Sequence, residues 1–140
     1  MKKILVCGAT GFIGKNVTLG LSKNKNYKIH AVRYKRPPYK TSKNVKWHKA
    51  DLRDSKKVDK LLKGIDIVIQ CAATTSGSKD IVSKPYIHVT DNAIINSYIF
   101  RAAYTHKIKH FIFPSCTVMY PSSKKPTKES DFNGKIIDKY

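Results

Sequence analysis

Three glycines spaced three apart, Gly8, Gly11 and Gly14, stand between a short apolar run and a helix-like stretch near the start of this 140-residue chain. No other feature of the sequence narrows the fold as far. The preceding run, Lys3-Ile4-Leu5-Val6-Cys7, is continuous rather than alternating, the pattern of a strand buried on both faces. The following stretch repeats Ile13, Val17 and Leu21 every four residues, the stripe of a helix lying on a sheet. Strand, glycine turn and helix in that order are the context in which a glycine triplet carries weight. Gly8 permits the tight turn, Gly11 lets backbone N–H groups approach a pyrophosphate, and Gly14 allows close packing of helix on strand. The helix amino terminus adds positive potential where phosphates would lie. The alternative is a glycine-rich turn that holds no ligand.

The same alternation continues downstream. Lys28 to Arg33 reads as a second strand, and residues 34–44, with Pro37-Pro38 and several lysines, as a loop. Val45 to Lys49 is a third, weaker strand. Ser55 is placed to cap a helix whose inner face is Val58, Leu61 and Leu62, closed by Gly64. Asp66 to Cys71 is a fourth strand. Tyr86 to His106 is a long helix with Ile95, Ile99, Ala102 and Ala103 inward, and His110 to Pro114 a fifth strand. From Ser115 the chain reads as polar loop. Strands joined by helices imply parallel pairing with right-handed crossovers. The expected architecture is an α/β, Rossmann-like doubly wound parallel sheet in the order 3-2-1-4-5. Residues 1–140 form one domain in this reading, with no internal repeat.

Composition limits the alternatives. The apolar fraction is 41%, enough for a core, and no apolar run approaches the roughly 20 residues of a membrane span. Cys7, Cys71 and Cys116 are odd in number and far apart, so neither a zinc site nor a disulfide framework is indicated. A cytoplasmic protein without metal or membrane partner is expected. The net charge is +19, and residues 1–50 hold 13 Lys and Arg and no acid. Such a basic half could attract nucleic acid or a phosphorylated ligand. The lysines are scattered, however, and a solvated lysine-rich surface explains them without nucleic acid.

Five segments together resemble one family. Cys7-Gly8-Ala9-Thr10-Gly11-Phe12-Ile13-Gly14 looks like the glycine motif of the extended short-chain dehydrogenases/reductases, which remodel nucleotide sugars, with Cys7 where Thr or Ser is usual. Ala50-Asp51-Leu52-Arg53-Asp54 is similar to the family's segment after the third strand, where an Asp and the next backbone group meet the adenine. Asp66 to Ala73 resembles the fourth-strand motif that ends in two alanines beneath the cofactor, and Asn92 matches a structural Asn. Phe111 to Tyr120 resembles the fifth strand and its serine-rich end. The resemblance implies cofactor contacts at Gly8, Ala9, Thr10, Gly11, Phe12, Ile13, Gly14, Asp51, Leu52, Ala72, Ala73 and Thr74.

NAD-selective dinucleotide folds carry an acid at the end of the second strand. None occurs here between Gly14 and Asp51; Arg33, Lys35 and Arg36 stand there instead. Guanidinium groups pair bidentately with phosphate, so Arg33 and Arg36 favour NADP, with NAD the alternative. The resemblance also implies a Tyr-x-x-x-Lys pair assisted by a Ser or Thr. Aligned on Tyr120, Cys116 takes the Ser/Thr place, and a thiol is a poor donor. Thr117 is the first choice for that role, then Ser115, then Cys116. Tyr140 lies slightly early for the catalytic tyrosine, no lysine follows it, and Tyr34-Lys35 and Tyr39-Lys40 lie in the wrong part of the fold. The expectation is a fragment of a nucleotide-sugar epimerase, dehydratase or reductase, lacking the carboxyl half and inactive alone, whose full-length form is a homodimer. A non-enzymatic NADP-binding regulator or redox sensor is the next alternative. A nucleic-acid-binding protein is the least favoured.

Overall fold

The computed structural model describes residues 1–75, 78–115, 120 and 123–132. Strands β1 (Lys2–Cys7), β2 (Tyr27–Arg33), β3 (Val45–Lys49), β4 (Ile67–Gln70) and β5 (His110–Ile112) alternate with helices α1 (Phe12–Ser22), α2 (Ser55–Leu62), α3 (Ser78–Ser83) and α4 (Pro85–Thr105). A short 3-10 turn spans Glu129–Asp131. The strands form one sheet in the order β3-β2-β1-β4-β5, and every adjacent pair is parallel. This is the expected doubly wound topology. No helix among the described residues is long and apolar enough to cross a membrane.

Alternation along β1 divides the core into two halves, because successive strand side chains point to opposite faces. On one face Leu5 and Cys7 join Val32, Val58 and Leu62, with Ile95, Ile99 and Ala102 of α4. On the other, Ile4 and Val6 join Ile29, Ala31 and Ile69, and Val17 and Leu21 of α1 lie against them. Burial on both faces is the physical reason for the unbroken apolar run in this strand.

Two details differ from the sequence reading. The buried line of α1 is Gly14, Thr18 and Ser22, and Ile13 is 52% exposed. A Cβ on Gly14 would sit 2.3 Å from the Gly8 carbonyl oxygen. The helix therefore approaches the turn along small residues, and the larger Val17 and Leu21 flank that line. Thr18 tolerates burial because its hydroxyl donates to the Gly14 carbonyl at 2.7 Å. The second correction concerns α2. Its cap is Asp54, whose Oδ1 accepts from the Lys56 and Lys57 backbone N–H groups at 3.1 Å, while Ser55 is the first helical residue. Asp is as good a cap as Ser, and its charge also favours the positive end of the helix. Gly64 follows the helix with φ +72°.

At the other edge of the sheet, His30 Nδ1 lies 3.1 Å from His48 Nε2, with the rings 11° from parallel. Burial, then the charges of His48, Lys28, Lys46 and Lys3, push the His30 imidazole down from 6.5 to about 4. Unfolded His30 gains its proton near 6.5 and folded His30 near 4, so the unfolded state binds the extra proton between those values. Stability should therefore fall as pH drops from 6.5 to 4. Urea unfolding at about pH 7 and about pH 5 checks this: His30→Gln should lose less stability between the two than the native sequence, and an equal loss in both would contradict it.

Candidate functional site

In a parallel doubly wound sheet the ligand crevice lies outside the carboxyl ends of the strands, and here that end of the sheet carries the glycine turn after β1 together with the segments that follow β2, β3 and β4. Gly8 has φ +69°, and a Cβ there would lie 2.7 Å from the Ala72 backbone and the Cys71 carbonyl. The turn is closed by Gly11 N–H donating to Gly8 O and Ala9 N–H to Val32 O, each at 2.9 Å. Gly11 precedes α1 with φ −79° and ψ 170°, makes no side-chain cap bond, and no acid occupies the first helical turn. The first N–H groups of a helix have no partner within it, so α1 presents donors and the positive end of its dipole to the crevice. Unlike the other two glycines, Gly11 is hemmed in by one atom only: a Cβ there would meet Gly8 O at 3.3 Å. Ala9 is buried, Thr10 half-buried, and the side chains of Phe12 and Ile13 lie at the surface, 86% and 52% exposed.

The loop after β2 folds back onto this turn. Arg33 Nη1 reaches Arg36 O, and Arg36 Nη1 reaches Thr10 O, both at 3.5 Å. The Tyr39 hydroxyl donates to Ala9 O at 3.2 Å, with Lys15 O at 3.4 Å. Its ring meets Trp47 edge-on at 4.9 Å. Tyr39 and Trp47 therefore hold the loop so that Arg33 and Arg36 stand beside the glycine turn. The sequence excludes Tyr39 as a catalytic tyrosine and does not reveal this role; its aromatic character in a lysine-rich loop is the available signal.

On the β3 side, Asp51 is tightly engaged. Its Oδ1 accepts from the Arg53 backbone N–H and Nε at 3.0 Å, and its Oδ2 from Arg53 Nη2 at 2.9 Å. Those bonds hold the Asp51 carboxyl at about 2, well below the ordinary range. Leu52 is buried in the core, which leaves its backbone for the crevice. Arg53 also reaches Asp91 of α4 at 3.1 and 3.3 Å and the Tyr34 hydroxyl at 3.2 Å.

The segment after β4 is fixed from beneath. Gln70, almost fully buried, accepts from Ala72 N–H at 3.2 Å and donates to Ala72 O at 3.0 Å and Asn96 Oδ1 at 2.9 Å. Asn92 Oδ1 accepts from Thr74 N–H at 2.7 Å, Asn92 Nδ2 donates to Thr74 O at 3.1 Å, and the Thr74 hydroxyl donates to Asp91 at 3.2 Å. Ala72 and Ala73 thus line the crevice on a braced backbone. The sequence does not single out the bracing residues Gln70, Asp91 and Asn96, because a polar residue inside an apolar strand or helix shows its partner only after folding. Ser115 follows β5 and is exposed; Cys116 and Thr117 lie outside the described residues. Among the described residues no group of three or more His, Cys, Asp or Glu is arranged to hold a metal.

A parallel doubly wound sheet with this glycine turn at its carboxyl edge defines a Rossmann-like domain of the dinucleotide-binding type. More narrowly, the chain belongs to the NAD dependent epimerase/dehydratase family, whose model matches residues 4–139. It is 30% identical over 137 residues to the GDP-mannose 3,5-epimerase of Arabidopsis thaliana, covering 92% of this chain and 36% of that protein. It is 27% identical over 154 residues to the UDP-glucose 4-epimerase of Caenorhabditis elegans, covering 96% of this chain and 44% of that one. Among solved structures, the UDP-glucose 4-epimerase of Bifidobacterium longum in complex with NAD+ and UDP superposes with a TM-score of 0.78 at 25% identity, over 91% of this chain and 41% of that chain. The chain thus spans well under half the length of these relatives.

Proposed function

We propose that residues 1–140 are the NAD(P)-binding domain of an enzyme that epimerises, dehydrates or reduces a nucleotide-linked sugar, with NADP as cofactor and NAD as the alternative. The observation that carries this reading is the uncapped amino terminus of α1 over Gly11, with no side chain in front of it. Backbone N–H groups of residues 12–14 would hold the pyrophosphate, Asp51 and the Leu52 backbone would meet the adenine, and Ala72, Ala73 and Thr74 would lie beside the rest of the cofactor. The bound nicotinamide would supply or accept hydride. Ser115, Thr117 or Cys116 would hydrogen-bond the reacting oxygen of the sugar. Tyr39 with Lys43 and Tyr120 with Lys124 have the Tyr-x-x-x-Lys spacing, but the first pair follows the second strand and the second comes directly after the fifth-strand region, earlier than the catalytic pair of the family is expected, so the 140 residues alone should bind cofactor without turnover. Cys7 and Cys71 are free thiols, which suits a reducing, cytoplasmic compartment.

Arg33 and Arg36 beside the glycine turn support NADP. A charge-assisted pair with a 2′-phosphate contributes about 1.5–3 kcal/mol, or roughly ten- to a hundred-fold in affinity. Calorimetry should show NADPH binding tighter than NADH by that factor, and the Arg33→Ala, Arg36→Ala double variant should narrow it. Equal affinities in the native chain would contradict the choice of NADP.

An exposed apolar edge supports the proposed homodimer of the full-length protein. Ile112 and Phe113 at the β5 edge and the neighbouring Phe100 of α4 are 40–46% exposed, and Phe100 packs on Phe111 and Phe113. An open apolar edge offers unpaired backbone groups and tends to associate. The chain should therefore self-associate by light scattering despite its charge, and Phe113→Lys should reduce the mass observed. A monodisperse monomer would overturn this expectation.

A further inference from the structure

Helices α2 and α4 pack against each other over one face of the sheet, with Val58, Leu62, Ile99 and Ala102 in the core beneath them. On their outer side they leave an open groove of about 420 Å³, with Lys56 and Lys60 on the α2 wall and Tyr98, Arg101 and Ala102 on the α4 wall. Small-molecule sites occupy roughly 300–1,000 Å³, so the groove is large enough for a compact ligand. It is separate from the crevice. Asp91 and Asn92, which brace the segment after β4, belong to the first half of α4, whereas the groove lies against the second half.

The charge in this groove is one-sided. Lys56 and Lys60 stand four residues apart on α2 and so share a face, and Arg101 faces them from α4. None of the three has an ion pair among the described residues. The acid in the lining, Asp59, is already engaged: its Oδ1 lies 2.7 Å from Nε2 of His106, just after α4. That contact ties the two walls together and leaves the three cations unmatched. Like charges four residues apart on a helix repel, so the groove carries a cost that a bound anion would remove. The hydroxyls of Ser55 and Tyr98, also in the lining, make no hydrogen bond among the described residues. Tyr98 and Ala102 both pack on the core, which gives the groove a fixed, partly apolar base.

We propose that the groove between α2 and α4 is a binding site for a small phosphate monoester, with the phosphate held by Lys56, Lys60 and Arg101 and the organic body lying against Tyr98 and Ala102. A guanidinium pairs with two phosphate oxygens at once, and the two ammonium groups add charge without fixing direction. The volume exceeds what a free phosphate fills, and the apolar base suits an attached carbon skeleton. This site stands independently of the dinucleotide reading, because none of its residues belongs to the glycine turn or to the segments that follow β2, β3 and β4.

The experiment titrates phenyl phosphate and inorganic phosphate by calorimetry at one fixed ionic strength into the native chain and into Lys60→Gln, Arg101→Gln, Arg101→Lys, Lys25→Gln and Gly11→Val, each checked for cooperative melting. Lys25 is an exposed lysine between α1 and β2 and controls for loss of charge alone. The native chain should bind phenyl phosphate about fivefold or more tightly than inorganic phosphate. Lys60→Gln and Arg101→Gln should each weaken phenyl phosphate by about tenfold or more. Arg101→Lys, which keeps the charge but not the fork, should retain part of the affinity. Lys25→Gln and Gly11→Val should stay within about twofold of native, being screened or distant from the groove. If Arg101→Gln does not fold, Lys60→Gln on the facing wall answers the same question. Equal losses in Lys25→Gln and the groove variants would overturn the site, because a diffuse attraction for the basic chain would then explain binding. A loss in Gly11→Val with none in Arg101→Gln would overturn it too, by placing the phosphate at the glycine turn. So would equal affinity for the two phosphates, or no binding of phenyl phosphate at all.

Discussion

Gly14→Ala should cost about 3 kcal/mol or more and lower the melting temperature by roughly 10 °C or more. The added Cβ would lie 2.3 Å from the Gly8 carbonyl oxygen, 2.8 Å from its carbonyl carbon and 3.0 Å from Ala9 Cα. All three are backbone atoms of the turn, so no side chain can rotate away to make room. The only relief is to lift α1 from the sheet, which would open the packing of Val17 and Leu21 on Ile4, Val6 and Ile29. Domains of this size are stable by only about 5–15 kcal/mol. Gly20, in the same helix, provides the opposite case. A Cβ there meets nothing within 4 Å, so Gly20→Ala should stabilise the helix by about 0.5–1 kcal/mol. Chemical denaturation of the two variants tests the claim by sign. Similar stabilities for both would show that α1 does not approach the turn as described.

Gly11→Val should leave the fold nearly intact and abolish dinucleotide binding, with a loss of about a hundredfold or more, near ~2.7 kcal/mol. Gly11 has ordinary backbone angles, so a side chain causes no strain there, and its Cβ would meet only Gly8 O at 3.3 Å. The valine methyls would instead project over the amino terminus of α1, where the pyrophosphate is proposed to lie. Fluorescence titration with NADPH, together with a melting curve, separates the two effects. Unchanged affinity in a folded Gly11→Val variant would remove the basis of the phosphate-cradle assignment. The same glycine motif therefore contains one position that answers to packing and another that answers to ligand.

The order of strands is legible in the sequence because a fully buried parallel sheet writes continuous apolar runs, and Ile4 to Cys7 and Ile67 to Gln70 are such runs. Their contexts also locate Gly8 and Ala72, whereas Asn92 is marked only by the family resemblance. What stays obscure in the sequence depends on three-dimensional approach. The inward line of α1 is hidden because hydrophobicity ranks Ile13 above Gly14, whereas steric room at the turn ranks them the other way. The cap of α2 is ambiguous by one residue because Asp54 and Ser55 are both good caps, and only the direction of the chain leaving β3 decides between them. Helix α3, six residues long, is too short to show a period. The Arg53–Asp91 and Gln70–Asn96 pairs join residues 38 and 26 apart, and nothing local in either member points to the other.

The contact between Gly8 and Ala72 has a consequence for the timing of recognition. There the ends of β1 and β4 meet backbone to backbone, with 2.7 Å separating Ala72 from where even a methyl would begin. The position of that meeting point, the floor of the proposed phosphate site, is therefore set when the sheet forms, and the site would need no rearrangement of β1 against β4. A ligand arriving at such a floor loses its own freedom but takes little from the protein. Encounter should then be governed by diffusion and by the attraction of a strongly basic chain for an anion, while differences between cofactors should be written in how slowly each one leaves.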